Sequence, residues 1–303
     1  MKMKDLRQLP FETTLMGVAR GVCEHYGMDV PVPVLFGGSG HAFLMNIHRE
    51  LCPSGPYCWD PKGLDRLLPN LGLRRRSLGF FGPHSTPEER EGVESLVRGH
   101  MEEGRPCSIL NMENQLIIGF DRRGFDTARP WPGMEFPPAR LSFGSWEELG
   151  DEVHIGFYVW ERCDPAPFPE LLMKSLDFAL SLYSHPSSRA WEDYSMGMES
   201  WEAWIRGVEA GYGDGHGCWW NAMVWGECRL MAGRYMAEAS LRLGGMHPEL
   251  LELTGEYTML GTGIRMAGDR SMPVGKKIEL LRELRGMESR CFGGLRKLQE
   301  AFR

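Results

Sequence analysis

Residues 8–27 read Gln8-Leu-Pro-Phe-Glu-Thr13-Thr14-Leu-Met-Gly17-Val-Ala-Arg-Gly-Val-Cys23-Glu-His-Tyr26-Gly27. The apolar members are Leu15, Met16, Val18, Ala19, Val22, Cys23 and Tyr26, a spacing that predicts a helix with one wide buried face. Pro10 ends whatever precedes it, and Thr13 or Thr14 is placed to act as N-cap. Gly27 stops the helix from the position where a left-handed residue is favoured. An apolar helix this early in the chain is expected to be central to a core.

Working outward, residues 73–81 read as a strand. Thr86-Pro87-Glu88-Glu89 is a helix start, with Thr at the N-cap, Pro in the first turn and Glu at the third position, and that helix runs to Gly104. Strands are expected at 106–112 and 115–121, with Asp121-Arg-Arg-Gly124 as the hairpin turn and a third strand beyond it. Residues 129–140 are a proline-rich loop. Ser145-Trp-Glu-Glu148 opens a short helix, and the alternation of Val153, Ile155, Phe157 and Val159 marks a half-buried strand. Between the first helix and residue 73 the reading is an extended Val30–Phe36 segment, confined by its prolines to an edge. A glycine-rich Gly37–Gly40 turn follows, then a helix over His41–Leu51, a loop over 52–59 and a short helix over 61–71. After Cys163-Asp-Pro-Ala-Pro-Phe-Pro169 the composition turns helical, with helices expected at 169–184, 188–209, 217–244, 247–266 and 274–301 and no strand. Two domains follow: residues 1–165, α+β, and residues 166–303, all-helical.

The first 165 residues resemble the papain-like cysteine peptidases of the kind that trim bacteriocin leader peptides, and the butirosin-biosynthesis acyltransferase group. In those proteins a Gln precedes a central helix, the nucleophile opens that helix, and an imidazole begins a strand that ends in a Gly-aromatic-Asp turn. Here Gln8 takes the position of the oxyanion-hole Gln. The nucleophile position falls on Thr13, or on Thr14 with a one-residue slip. Gly119-Phe120-Asp121 is the turn, and counting back places Glu113 at the imidazole position. The Ser39, Gly40, Ala42 and Phe43 pattern matches a Ser-Gly-x-Ala-Phe element of the family. The resemblance therefore implies an α+β fold with the N-terminal helix packed on an antiparallel sheet, and a helical second domain covering one side of the cleft. It assigns Thr13, Thr14, Glu113 and Gln8 as positional equivalents of the catalytic set. Ser39, Gly40, His41 and Asp121 become candidate ligand contacts.

Acyl transfer through a thioester needs a thiolate, and a Thr hydroxyl is a poor nucleophile without a strong base. The expectation is a catalytically altered papain-like protein that binds a small molecule or peptide. The alternative is an acyltransferase or amide-forming enzyme of the butirosin type with an adapted site, which would bring an acyl-carrier protein as partner. Self-association stays open. The competing reading of Thr13 or Thr14 is a plain N-cap, and of Glu113 a solvated strand-end carboxylate.

Composition limits the alternatives. The chain has 303 residues and a formal charge of −7, with 34 Lys and Arg against 41 Asp and Glu. No basic stripe is present to neutralise phosphates, so nucleic acid is not an expected partner. Arg74-Arg75-Arg76 and Lys276-Lys277 read as solvated faces. The glycine-rich stretch at 37–40 is neither a P-loop nor a dinucleotide fingerprint. His41 and His48 complete no metal motif, so neither metal nor cofactor is expected. The eight cysteines are scattered without a Cys-x-x-Cys pair and read as reduced. The N-terminal Met-Lys-Met-Lys-Asp-Leu-Arg lacks a signal-peptide core, and no stretch approaches a membrane span, so a cytoplasmic location is expected. The Trp-dense region from Trp191 to Trp225 reads as core packing; the alternative is an aromatic pocket aided by Asn221, Glu227 and Arg229.

Overall fold

The computed structural model describes every residue except 83–84, 145–154, 185–189 and 303. In chain order the elements are α1 (Thr14–His25), α2 (Val32–Gly38), a 3₁₀ turn (His41–Phe43), β1 (Asn46–His48), α3 (Lys62–Leu67), a 3₁₀ turn (Leu68–Leu71), β2 (Leu73–Phe81) and α4 (Pro87–Glu102). Then come β3 (Cys107–Asn111), β4 (Glu113–Phe120), β5 (Gly124–Thr127), β6 (Arg140–Ser142), β7 (Ile155–Arg162) and α5 (Phe168–Ser184). The chain ends with β8 (Tyr194–Met196), α6 (Met198–Gly207), a π-helical turn (Val208–Tyr212), α7 (His216–Arg242), α8 (Pro248–Ala267) and α9 (Val274–Ala301). The protein is α+β, with an antiparallel sheet and a C-terminal helical region. It forms two compact units, one from Met1–Val30 and Gly72–Pro165, the other from Pro31–Leu71 and Ala166–Arg303.

In the first unit, six strands order as β2-β7-β3-β4-β5-β6, every neighbouring pair antiparallel. α1 packs against β4, while α4 packs against β2, β7 and β3. Two glycines explain how α1 is seated. A Cβ on Gly17 would lie 2.4 Å from the Leu9 carbonyl oxygen, and one on Gly21 would lie 2.0 Å from that of Arg7. Four residues apart, they share one helix face. The chain at 7–9 runs along that bare groove, which no side chain could share. α4 begins as the sequence predicts: Thr86 Oγ1 accepts from the Glu89 amide and the Glu89 carboxylate accepts from the Thr86 amide. Its buried Arg90 pairs with Glu94 at 2.5 Å and donates to the Ser142 carbonyl at 2.6 Å, tying the helix to β6. The expected strands at 106–112 and 115–121 are closer together than read. Asn111 pairs with Glu113 across a single left-handed residue, Met112 (φ 60°), so β4 starts two residues early. Strand β6 was not expected, and the capping box at 145–148 lies outside the described residues, as does Val153.

The second unit is built on α7, which is buried on nearly every side. It crosses α8 closely because small residues meet. A Cβ on Gly226 would stand 3.1 Å from the Gly261 carbonyl oxygen, and one on Gly233 would stand 2.8 Å from Thr258 Oγ1. Several expectations are corrected here. Val30–Phe36 is not extended: Pro31 is the N-cap of α2 and Pro33 sits in its first turn, where a missing N–H costs no helical bond. The helix expected over His41–Leu51 is replaced by a 3₁₀ turn and β1. The Ala42 and Leu44 carbonyls, which a helix would use internally, instead accept from the Arg229 guanidinium at 2.9 and 2.8 Å. The helix expected from 188 starts at 198, because Gly197 has a positive φ of 58° and the preceding residues pair with β1 as β8. That short strand also corrects the expectation of none beyond residue 165. The chain passes from one unit to the other at 30–31, 71–72 and 165–166, so residues 31–71 cluster with 166–303 rather than with the first unit.

Candidate functional site

The start of α1 is the point where the candidate residues meet. Thr13 is the N-cap by position, but its side chain does not cap the helix. Thr14, the first helical residue, is 1% exposed, and its hydroxyl donates to Glu113 Oε2 at 2.8 Å. The same hydroxyl oxygen accepts from the Asn114 amide at 3.2 Å. Of the two threonines left open by the sequence, Thr14 bonds Glu113 directly. Glu113 is itself 5% exposed and begins β4. Its carboxyl stands at the positive end of a twelve-residue helix, an arrangement that favours negative charge there.

Gln8 reaches the same place and uses both ends of its amide. Its Nε2 donates to the Asn114 carbonyl at 2.8 Å and to the Thr14 carbonyl at 3.4 Å, while its Oε1 accepts from the Leu116 amide at 2.9 Å. A half-buried side chain thus sews residue 8 to both α1 and β4. Two further polar side chains frame the junction. Trp131 Nε1 donates to the Phe11 carbonyl at 3.2 Å, two residues before Thr13. Gln115, two residues after Glu113, donates to Thr127 Oγ1, the Ala128 carbonyl and the Pro138 carbonyl at 3.2, 2.8 and 2.9 Å. The loop from Trp131 to Pro138 is held at both ends beside the pair, and Met112, at 69% exposure, stands next to Glu113 in the chain. Sequence reading places Asn114 and Gln115 beside Glu113 without giving them a role, and it does not single out Trp131. A Gln inside an apolar strand run was the available signal, since a buried amide must find partners.

The remaining candidates lie elsewhere. Asp121 follows the opposite end of β4 from Glu113. It bonds Arg140 at 2.5 Å, and its carboxyl is held below the usual range first by the Arg123 amide and then by the Arg140 guanidinium. Ser39, Gly40 and His41 belong to the second unit, where all three are buried. Ser39 Oγ donates to the Phe36 carbonyl at 3.1 Å and accepts from the His41 amide at 3.4 Å. Gly40 adopts φ 77° with Phe178 so close that a Cβ would sit 2.3 Å from its ring. These contacts are those of a packed turn. In the same unit Arg229 and Glu288 form a buried ion pair at 2.9 Å, and the Tyr183 hydroxyl donates to Glu288. Asn221 donates to the Cys52 and Gly217 carbonyls. Arg229 and Asn221 thus bind neighbouring parts of their own unit.

A proton on Thr14 has a carboxylate within transfer distance, which is the geometry of a nucleophile and its base. The hydroxyl, however, is engaged as donor and acceptor at once, and the Gln8 amide that would face an oxyanion is turned to two backbone carbonyls. Cys23, inside α1, is fully buried, and burial pushes its thiol up to about 12. Among the described residues no three His, Cys, Asp or Glu side chains group to hold a metal ion, and no helix is long and apolar enough to cross a membrane. Comparison with protein families and with curated proteins finds no match to this sequence.

Proposed function

We propose that the first unit is a papain-like domain recast for binding, with the Thr14–Glu113 junction as the place where a small molecule or peptide is recognised. The order Gln8, helix start, strand closing in Gly119-Phe120-Asp121 supports the fold assignment, together with a helix laid against the middle of an antiparallel sheet. The observation that carries the functional reading is the engagement of Gln8. A donor already bonded to the Asn114 and Thr14 carbonyls is not aimed at a developing negative charge, and such donors supply a large share of acyl-transfer catalysis. Thr14 in place of a thiol and Glu113 in place of an imidazole point the same way.

The 2.8 Å contact between Thr14 Oγ1 and Glu113 Oε2 favours a second reading, an acyltransferase or amide-forming enzyme with a hydroxyl nucleophile. One experiment separates them: stopped-flow release of p-nitrophenol from its acetate ester. The binding reading expects no burst above the solvent rate, and the same trace from Thr14→Ala. A burst that Thr14→Ala abolishes establishes the acyltransferase reading instead. Binding itself is tested by thermal-shift screening of short peptides and small amides. A hit should lose its shift in Glu113→Gln and keep it in Asp121→Asn; a hit indifferent to Glu113→Gln removes the junction as the site.

A further inference from the structure

β2 forms one edge of the six-stranded sheet, with β7 as its only strand neighbour among the described residues. At nine residues it is long for an edge, where strands are usually short. Leu73 is buried, but from Arg74 to Phe80 the strand reaches solvent, with Arg74, Arg76, Ser77 and Phe80 exposed. The register gives the direction of its peptide groups. The Trp160 amide donates to the Pro106 carbonyl and so faces β3. Tyr158, two residues earlier, shares that phase, and its partner on β2 is Ser77. The Ser77 N–H and C=O therefore turn away from β7, out of the sheet edge. Nothing among the described residues bonds them there.

The charge along this edge is opposite in sign to that of the whole chain. Arg74 and Arg76, two residues apart, lie on one face of the strand. Arg74 has no ion pair among the described residues. Arg76 reaches Glu161 at 3.6 Å and Arg105 reaches the same carboxylate at 3.5 Å, while the Arg76 side chain stays 51% exposed. Two guanidiniums sharing one carboxylate leave positive charge in excess, in a protein of formal charge −7. Arg75, expected on a solvated face, is instead buried, with its guanidinium over the rings of Tyr158 at 4.5 Å and Trp160 at 5.9 Å. It pins the strand to β7. Cationic residues and bulges can also blunt an edge against pairing. Here the bulge falls between Ser77 and Gly79, past the arginines, so Arg74–Ser77 keeps a regular register with β7.

We infer that the β2 edge is a docking site for an acidic, extended segment of a partner protein, which adds to the sheet as a strand beside β2. Main-chain bonds at Ser77 hold the segment. Carboxylates at alternate positions meet Arg74 and Arg76, whose guanidiniums suit forked, two-point pairing. An apolar residue of the segment covers Phe80. A second copy of this chain fits less well, because pairing two β2 edges sets both runs of three arginines on adjacent strands. The site is independent of the Thr14–Glu113 junction, since β7 and β3 lie between β2 and β4.

The test follows the anisotropy of a fluorescein-labelled Glu-Val-Glu-Val-Glu-Phe peptide titrated with the intact chain. Saturable binding is expected, roughly tenfold weaker when Arg74→Glu and Arg76→Glu are combined. Added salt should weaken it too. The same peptide with Lys for Glu should not bind. A version N-methylated at alternate residues keeps its charges but cannot complete the ladder, and should lose most of the affinity. In the complex the Ser77 amide should become slow to exchange by NMR. Equal binding of the Lys peptide or of the N-methylated peptide would overturn the inference. So would no binding of any peptide at millimolar concentration, which would leave the arginines as a device that blunts the edge. Sedimentation showing a dimer that Arg74→Glu dissociates would put a second copy in place of the peptide and overturn it as well. The peptide comparisons use the unaltered chain, so they decide the matter even where the double variant fails to fold.

Discussion

Replacing Gln8 separates a catalytic role from a role in holding the first unit together. In Gln8→Ala three hydrogen bonds are lost, to the Asn114 and Thr14 carbonyls and from the Leu116 amide. Each is worth about 1 kcal/mol net, and a buried amide left without an acceptor costs about 1–3 kcal/mol. The 3.4 Å contact is the weakest, and Gln8 is only half-buried, so the total is about 3 kcal/mol. That is roughly two powers of ten in the opening equilibrium. Gln8→Met keeps the volume and removes the polar ends, which separates packing from hydrogen bonding. Gln8→Glu keeps the acceptor for Leu116 but sets an acceptor against two carbonyls, so it should be as damaging as Ala. The assay is equilibrium denaturation with hydrogen exchange of peptides from β4 and the start of α1. An oxyanion donor would leave these readouts nearly unchanged, since its bonds form in the transition state. A Gln8→Ala loss below about 1 kcal/mol, with β4 protection intact, would refute the reasoning from hydrogen bonds.

Other perturbations test the remaining structure. Gly17→Ala and Gly21→Ala should each destabilise the first unit by about 2–3 kcal/mol through overpacking against the 7–9 backbone. Gly92→Ala, inside α4 with nothing within 4 Å of the new methyl, should stabilise by about 0.5–1 kcal/mol; thermal melts read both signs. Glu288→Gln should cost the second unit about 3–5 kcal/mol by leaving the Arg229 guanidinium buried beside a neutral amide. Pairing Arg229→Met with Glu288→Leu should recover much of that in urea denaturation. Asp121 has a depressed carboxyl in the folded state, so its contribution is present above the usual value of 3.8 and fades as pH falls through the lower folded value. Carbon-detected NMR titration should show Arg140→Ala moving that midpoint upward.

Legibility in the sequence followed the reach of the interactions involved. The Thr86–Glu89 capping box and the apolar period of α1 are local, and both stand in the structure as read. The stretch from 31 to 51 was misread because its conformation is set from far away. Arg229, nearly two hundred residues on, takes the carbonyls that a helix over 41–51 would keep. The proline pair at 31 and 33 is ambiguous by itself, since an edge strand and a helix start both accept proline. What tips it is burial of Val34, Leu35 and Phe36 beside α7, with Gly37 admitting the Tyr235 ring. The domain boundary suffered likewise. A proline-rich linker marks the crossing at 165–166, but the prolines at 31 and 33 read equally as an edge strand, and the crossing at 71–72 falls where a helix was read to pass into a strand. At the junction, spacing brought Gln8, Thr14 and Glu113 into one list. It could not reveal that the Gln8 amide bonds the backbone on both sides, because those partners are peptide groups common to every residue.

The polar junction and the glycine groove are two parts of one device. Residues 1–9 are held along their length. The Met1 carbonyl accepts from the Phe120 amide, the Met3 amide donates to the Ile118 carbonyl, and the Leu9 amide reaches the Gly17 carbonyl. Gly17 and Gly21 let this segment lie against α1, and Gln8 turns inward from it to bond the helix start and β4. Thr14 completes the attachment by accepting from the Asn114 amide on the strand. Such an arrangement explains why a hydroxyl and a carboxamide suit these positions even without chemistry: each can donate and accept at once, and each satisfies backbone groups that the meeting of helix, strand and N-terminal segment would otherwise leave open. A thiol at residue 14 would be a weak donor to Glu113 and a weak acceptor for Asn114. A hydroxyl at residue 14 therefore makes the stronger seam, and Glu113 is the carboxyl group around which recognition of a ligand is proposed.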